Sequence, residues 1–232
     1  MRIILAPAAA LAAFAAIGPA TAATRSYTIT SFDRIRVEGP YAVSVTVGGS
    51  SFASATGTQR AIDAVSLRVE GRTLYVRADR SAWGGNPDVP AGPVSIRVGT
   101  HDLAQAALSG AGSVAIDKLR GLEFVLLASG SGTASIGQAD LDRLRVSVLG
   151  AATVKVAGRA KQFTGLIRGA GSLDAGGLGA NDATLVANGA ATIRARATRT
   201  AKITASGTAS VAIEGGGACT LKVSGSASVT GC

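Results

Sequence analysis

The segment SGAGSVAI, Ser109–Ile116, decides the fold because the sequence repeats it. The variants that follow are SGSGTASI, LGAATVKV, RGAGSLDA, NGAATIRA, SGTASVAI and SGSASVTG. Their first glycines recur every 18 to 20 residues, at Gly110, Gly130, Gly150, Gly169, Gly189, Gly207 and Gly225. A fixed period of this length is the signature of a solenoid, in which each repeat stacks on the next.

Apolar and polar residues alternate around every one of these glycines. Near Gly150, the even positions are Leu144, Val146, Val148, Ala152, Val154 and Val156. A period of two indicates strands with one buried face, and no stretch of the repeats keeps a helical period. We expect two short strands in each coil, meeting at a corner made by the Gly-x-Gly or Gly-x-Ala pair. Glycine suits this corner because it tolerates unusual φ and ψ angles and lets neighbouring backbones approach closely.

The repeats therefore predict an all-β protein, a single-stranded parallel β-helix (β-solenoid) with coils of about 20 residues. We expect right-handed coiling, as is usual for parallel crossovers. With strands about 4.8 Å apart, seven coils would make a rod about 30 Å long.

Residues 24–98 precede the repeats and have a different sequence. They contain alternating runs at Ile35–Val47 and Val65–Arg77, and Thr58–Val65 is expected to form one or two helical turns. A Gly/Pro-rich loop, Ser81–Pro93, leads into the repeats. We interpret 24–98 as an irregular N-terminal β cap on the repeats of 99–232. The alternative is a separate first domain, but the continuing β pattern fits one continuous domain of 24–232 better.

The first 23 residues have the pattern of a secretory signal peptide. Arg2 precedes an apolar run, Ile3–Ile17, and Ala20-Thr21-Ala22 fits signal peptidase. The alternative is a membrane anchor, but the run is short for the roughly 20 residues of a spanning helix. We predict an exported bacterial protein, periplasmic or at the cell surface, with no integral membrane segment after residue 23.

The two cysteines, Cys219 and Cys232, lie close together near the end of the sequence. In an exported protein such a pair indicates a disulfide. Closing so short a loop stabilises a fold by about 3 kcal/mol in the chain-entropy account. Two cysteines and the single His101 do not supply the four ligands of a zinc site, so no metal or cofactor is expected.

The sequence is strongly basic. Loss of Arg2 with residues 1–23 leaves 22 Lys+Arg against 14 Asp+Glu, a net charge of +8. Such a charge favours anionic partners, although it also serves solubility. Because export separates the protein from nucleic acid, we expect anionic glycans, lipopolysaccharide phosphates or anionic lipid heads instead.

The order of several motifs resembles the GIN-domain family, whose members are described as autotransporter adhesin head domains. The motifs are SFDRIRVEGPYAVSVTVGG from Ser31, LRVEGRTLYVRA from Leu67, LSGAGSVAI from Leu108 and the SGSG-type repeats. The resemblance covers about Phe32–Val229. It implies a right-handed β-helix and an adhesive role, and it implies no catalytic residues.

The sequence contains few residue patterns that indicate a catalytic site. β-Helix enzymes that cleave polysaccharides need acids grouped on one outer face, and Asp140 and Asp142 are close in sequence but suit a solvated turn. A triad of His101, Asp102 and Ser109 would require eight residues of β chain to converge. There is no G-x-S-x-G nucleophile elbow. We therefore predict no enzyme and name no catalytic residue.

Two features are candidates for ligand contact. Trp83, in the Gly/Pro loop, could stack on a sugar ring or plug the end of the core. Three residues after each repeat glycine stands a hydroxyl residue that would form an outward column, and such residues also suit strands and local backbone hydrogen bonds. The column consists of Ser113, Thr133, Thr153, Ser172, Thr192, Ser210 and Ser228.

These observations predict a non-catalytic exported β-helix that binds anionic polymers of the envelope or the extracellular medium. One alternative is a structural envelope module that binds a protein partner through an open solenoid end. The other is a β-helix enzyme that acts on polysaccharides.

Overall fold

The computed structural model describes residues 22–79 and 92–232. The protein is nearly all β, with 75% strand and 3% helix. Before the repeats come β1 (Ala23–Tyr27), β2 (Arg34–Glu38), β3 (Ala42–Val47), β4 (Phe52–Gly57), α1 (Gln59–Asp63), β5 (Val65–Glu70), β6 (Thr73–Ala78), β7 (Val94–Thr100) and β8 (Gln105–Gly110). The repeats form β9 (Ser113–Gly130), β10 (Thr133–Gly150), β11 (Thr153–Gly169), β12 (Ser172–Gly189), β13 (Thr192–Gly207), β14 (Ser210–Glu214), β15 (Ala218–Gly225) and β16 (Ser228–Thr230).

The repeats stack in parallel, with equivalent residues of successive coils side by side. Thr133 of β10 pairs with Ser113 of β9 and with Thr153 of β11. The corner glycines are also in register, with Gly150 between Gly130 and Gly169. The predicted β-solenoid with coils of about 20 residues is confirmed.

Two details of the predicted coil are wrong. The structure has about six turns rather than seven, because the seven glycines delimit only six intervals. Each of β9 to β13 is also one strand of 16 to 18 residues rather than two short ones. Hydrogen bonding to the neighbouring coil continues around the bend, and the bend is absorbed by register shifts such as that between Ile136 and Ala139.

The corner glycines have backbone angles that only glycine adopts easily. Their φ values lie between +74° and +121°. A Cβ on Gly150 would also lie 2.9 Å from the carbonyl oxygen of Gly130 in the preceding coil. The repeated glycine therefore meets two requirements at once, a left-handed backbone and a close contact between stacked corners.

The core runs along the inside of the solenoid. Leu144, Val146, Val148, Val154 and Val156, all predicted to face inward, are at most 2% exposed. Phe124 and Phe163 are the bulkiest of the fully buried side chains in the described residues. The facing assignment made from the period of two is therefore confirmed around Gly150.

The strands before the repeats extend the same sheet. Ala42 of β3 pairs with Ser113 of β9, and Arg34 of β2 pairs with Gln105 of β8. The short helix expected within Thr58–Val65 is α1, where the Thr58 hydroxyl oxygen accepts a hydrogen bond from the Ala61 backbone N–H at 3.2 Å.

The outer surface has two broad sides, which we call face 1 and face 2. Face 1 is the outward side of strands in the order β1-β4-β7-β3, continuing over the first parts of β9 to β13 and then β14 and β16. Face 2 is the outward side of β5-β6-β2-β8, continuing over the last parts of β9 to β13 and then β15.

The final coil is closed by the cysteine pair. Cys219 and Cys232 form a disulfide with a Cα–Cα distance of 5.8 Å, so residues 219–232 make a covalent ring. Leu221 and Val223 continue the inner rows of the core but are 44% and 47% exposed, because β15 pairs with β13 on one side only. At the other end, α1 buries Ala61 and Ile62 against the core.

Candidate functional site

The predicted hydroxyl column exists as an unbroken row on face 1. Sheet register places its seven residues next to one another, from Ser113 on β9 to Ser228 on β16. The row also continues into the N-terminal strands, where sequence reasoning did not place it, through Ala42, Ser95, Thr56 and Thr24. Alignment is thus established, whereas a role of this row in ligand binding stays a prediction.

Face 2 carries most of the excess positive charge. Three outward rows of this face pass through Val125, Leu127 and Ser129 of β9. These rows, with their cross-strand partners, hold two acidic residues, Glu38 and Glu70. Their eight basic residues are Arg34, Arg36, Arg68, Arg77, Arg145, Arg168, Lys202 and Lys222.

Most of this positive charge is free to meet a ligand. Arg36 and Arg77 pair with the two acids of the face, and Arg145 pairs with Glu123 at its border. The other five basic side chains form no ion pair with a residue of the described ranges: Arg34, Arg68, Arg168, Lys202 and Lys222.

The middle of face 2 is apolar. Leu127 and Leu149 are 38% and 44% exposed, and Leu166 and Val186, in the same row as Leu127, are half-buried. Side chains of this kind offer contact to the hydrocarbon parts of a ligand whose charges meet the surrounding arginines and lysines. The sequence indicated only the total charge, because this face combines strands that are far apart in the chain.

The acids suspected of catalysis are held in ion pairs between coils. Arg159 donates to both carboxylate oxygens of Asp140, at 2.7 and 2.8 Å, and lowers the pKa of that carboxyl. Lys161 lies 2.7 Å from Asp142. A general acid needs a raised pKa, so the lowered pKa of Asp140 argues against that role for Asp140. The ion pair with Lys161 favours a structural role for Asp142 as well.

A third carboxylate of the same bend, Asp182, accepts three hydrogen bonds from side chains. Hydrogen bonds from Arg199 and then Thr200 lower the pKa of Asp182 to about 2. Asp142, Asp182, Lys161 and Arg199 all line a shallow depression of about 420 Å³. Asp182 is ionised at neutral pH, and the ion pairs of the depression tie neighbouring coils together.

The other suspected arrangement does not assemble. Nε2 of His101 lies 3.9 Å from Asp102, and both side chains are exposed. The Ser109 hydroxyl instead lies 3.1 Å from the Ser129 hydroxyl, in the neighbouring coil. The three residues therefore do not form a nucleophile, base and orienting acid.

Three sequence predictions fall wholly or mostly on residues outside the described ranges. They are the sugar-stacking or plugging role of Trp83, the Gly/Pro-rich loop Ser81–Pro93, and the signal peptide, nearly all of which precedes residue 22. Within the described ranges, no helix has the length and apolar character required to cross a bilayer.

A known family shares this repeat. The profile of the family "Putative auto-transporter adhesin, head GIN domain" matches residues 31–217. The chain belongs to this family. The family indicates a non-enzymatic, adhesin-like GIN domain that is exported or at the cell surface. No curated protein matches the sequence.

Several solved structures have the same fold. A putative adhesin from Bacteroides fragilis superposes with a TM-score of 0.79 at 22% identity, covering 90% of this chain and 95% of its own. A putative lipid binding protein from Parabacteroides distasonis has a TM-score of 0.73 at 19% identity, covering 91% and 97%. A putative adhesin from Parabacteroides merdae gives 0.68 at 18%, covering 91% and 96%. At these identities the similarity establishes the fold.

Proposed function

We propose that this GIN domain is a non-catalytic exported adhesion module that binds anionic polymers of the envelope or the extracellular medium through face 2. The observation that carries the proposal is the excess of eight basic over two acidic side chains on its three rows. Phosphates and carboxylates are the groups that arginine binds best, through paired N–H donors.

The spacing of the charges suits an extended polymer. Arg34, Arg145 and Lys202 lie in one row, each three strands from the next. Three strand spacings correspond to about 14 Å. A polyanion lying along the solenoid would meet one of these side chains at each such step.

Lipopolysaccharide fits both properties of the face, since it carries phosphates beside acyl chains. Its phosphates would meet the basic side chains, and its hydrocarbon would contact Leu127 and Leu149. The description of the Parabacteroides distasonis structure as a putative lipid binding protein agrees with this choice.

The test is binding of the purified protein to immobilised lipopolysaccharide at low and high salt. Affinity should fall steeply with salt because the contacts are exposed charges. The triple variant Arg34→Gln, Arg145→Gln, Lys202→Gln should lose most of the binding. A matched variant removes three basic side chains from face 1, Lys155→Gln, Arg194→Gln and Arg196→Gln, and should keep it.

Two results would contradict the proposal. Binding that is the same at both salt concentrations would remove its electrostatic basis. Equal losses in the two triple variants would show that total charge matters and that face 2 is not the site.

A second candidate function is a structural envelope module that holds another protein. It is favoured by Leu221 and Val223, which extend the core rows into solvent at the C-terminal coil. Crosslinking in the envelope should then yield a complex that Leu221→Ser with Val223→Ser abolishes, while lipopolysaccharide binding is unchanged. The absence of any crosslinked complex would count against this candidate.

A further inference from the structure

A groove lies on face 1 at its N-terminal end, away from the basic face. Its walls are outward side chains of β1, β3, β4 and β7, and its volume is about 600 Å³. Small-molecule sites are usually concave and of roughly 300–1,000 Å³. The groove is therefore large enough for a short stretch of oligosaccharide.

The floor of the groove is the ring of Phe52. This residue pairs across the sheet with Gly99, and a Cβ on Gly99 would lie 2.2 Å from the ring. The ring, at its Cδ1 and Cε1 atoms, therefore covers the backbone of Gly99, which is buried beneath it, while Phe52 itself remains 44% exposed. A flat aromatic surface open to solvent is the usual partner for the C–H face of a pyranose ring.

Arg97 stands next to this ring, one outward position before Gly99 on β7. It pairs across the sheet with Ser44 and Ser54. Its guanidinium is exposed and makes no ion pair or hydrogen bond with a side chain of the described ranges. A planar guanidinium with free donors binds a carboxylate through two parallel hydrogen bonds.

Hydroxyl groups complete the lining. Six serine and threonine side chains of the groove make no hydrogen bond to another residue of the described ranges: Ser26, Thr28, Ser44, Thr46, Ser51 and Ser54. Each hydroxyl donates one hydrogen bond and accepts two, which matches the hydroxyls of a sugar. Thr24 differs, because its hydroxyl already lies 3.1 Å from that of Thr56.

We propose that this groove binds an acidic sugar residue of a glycan. The pyranose ring stacks on Phe52, the sugar carboxylate accepts hydrogen bonds from Arg97, and the sugar hydroxyls bond to Ser44, Ser54 and Thr46. This site differs from the polyanion surface of face 2 in position and in chemistry. It recognises the shape of one sugar ring and a single negative charge, whereas face 2 recognises charge spread along a polymer.

The test uses trigalacturonic acid and its neutral methyl ester as probes, with affinity from calorimetry and position from amide NMR shifts. The acid should shift the amide of Gly99 and its neighbours on β4 and β7. Arg97→Gln should weaken binding of the acid about tenfold or more and leave the ester unchanged, since only the acid presents a carboxylate. Phe52→Leu keeps Gly99 covered but removes the flat ring, and should weaken both probes by the same factor.

The control is Lys155→Gln, which removes a basic side chain from the same outward row four strands away. It should leave the affinities for the acid and the ester unchanged, and so should the triple variant of face 2. The proposal for the groove and the proposal for face 2 can therefore be refuted separately. The proposal is overturned if neither probe shifts the Gly99 amide. It is also overturned if Arg97→Gln weakens acid and ester equally, or if Lys155→Gln has the same effect as Arg97→Gln.

Discussion

Replacing Gly150 by alanine tests whether stacked corners hold the solenoid together. Gly150 has φ +92°, and an added Cβ would lie 2.9 Å from the carbonyl oxygen of Gly130. A left-handed backbone costs an L-residue about 1–2 kcal/mol. The contact with rigid backbone adds the cost of overpacking, about 1–3 kcal/mol. Gly150→Ala should therefore lower the free energy of unfolding by about 2–5 kcal/mol.

Gly71→Ala is the matched control. Gly71, in the turn between β5 and β6, has φ +61°, and an added Cβ would have no atom within 4 Å. This variant carries the backbone cost alone, about 1–2 kcal/mol. The difference between the two variants isolates the contact between coils.

The free energy of unfolding of both variants is measured by urea unfolding, followed by circular dichroism. The slopes of the two transitions are compared, because equal slopes show that unfolding exposes the same surface area in both variants. Equal losses for Gly150→Ala and Gly71→Ala would refute the reasoning, because they would show that the corner is constrained by its backbone angle alone. No loss for Gly150→Ala would show that the corners are not closely stacked.

Three further predictions concern the core, an ion pair and the ring. Val146→Asp should lower the free energy of unfolding, measured in urea, by more than about 5 kcal/mol, because it buries a carboxyl among apolar residues. Lys155→Asp, on the outer side, should leave that free energy nearly unchanged. Equal effects of the two variants would contradict the assignment of inward and outward residues. Because hydrogen bonds from Arg199 and Thr200 lower the pKa of Asp182 to about 2, the ionised carboxylate stabilises the fold above pH 4, and this contribution disappears as the pH falls through 2. Asp182→Asn should flatten the loss of thermal stability in that window, and an unchanged pH profile would argue against the pair. Cys232→Ser should destabilise the last coil by about 3 kcal/mol. The loss should be measurable as faster hydrogen exchange of the backbone amides of β15 and β16. Unchanged exchange would show that the disulfide does not restrain these two strands.

The solenoid was predictable because its information is local. A 20-residue period and a two-residue alternation place Val146 inside and Lys155 outside without knowledge of any distant contact. The corner glycines were predictable for the same reason. The single long strand of each coil was not, because hydrogen bonds around the bend depend on the neighbouring coils and leave no residue pattern.

The sites were less predictable because they depend on strand order. The strands of face 1 run β1-β4-β7-β3, and β4 is antiparallel to its neighbours. The contact of Phe52 with Gly99, and the extension of the hydroxyl row to Thr24, follow from that order alone. The charge of face 2 was visible only as a total, since Arg34 and Lys202 come to lie in one row only after folding.

The closed ring at the last coil determines how the protein would bear a pulling force. A load applied at Cys232 passes through the disulfide directly to Cys219, because that path is far shorter than the backbone path through β15 and β16. Residues 220–231, which include β16 and most of β15, therefore lie outside the path of the load. From Cys219 the load passes back along the backbone to Glu214, the last residue of β14. β14 lies between β13 and β16 and is hydrogen-bonded to both. Ile213 and Glu214 pair with β13 alone, whereas residues 210–212 pair with both β13 and β16, so complete detachment of β14 requires the rupture of two ladders.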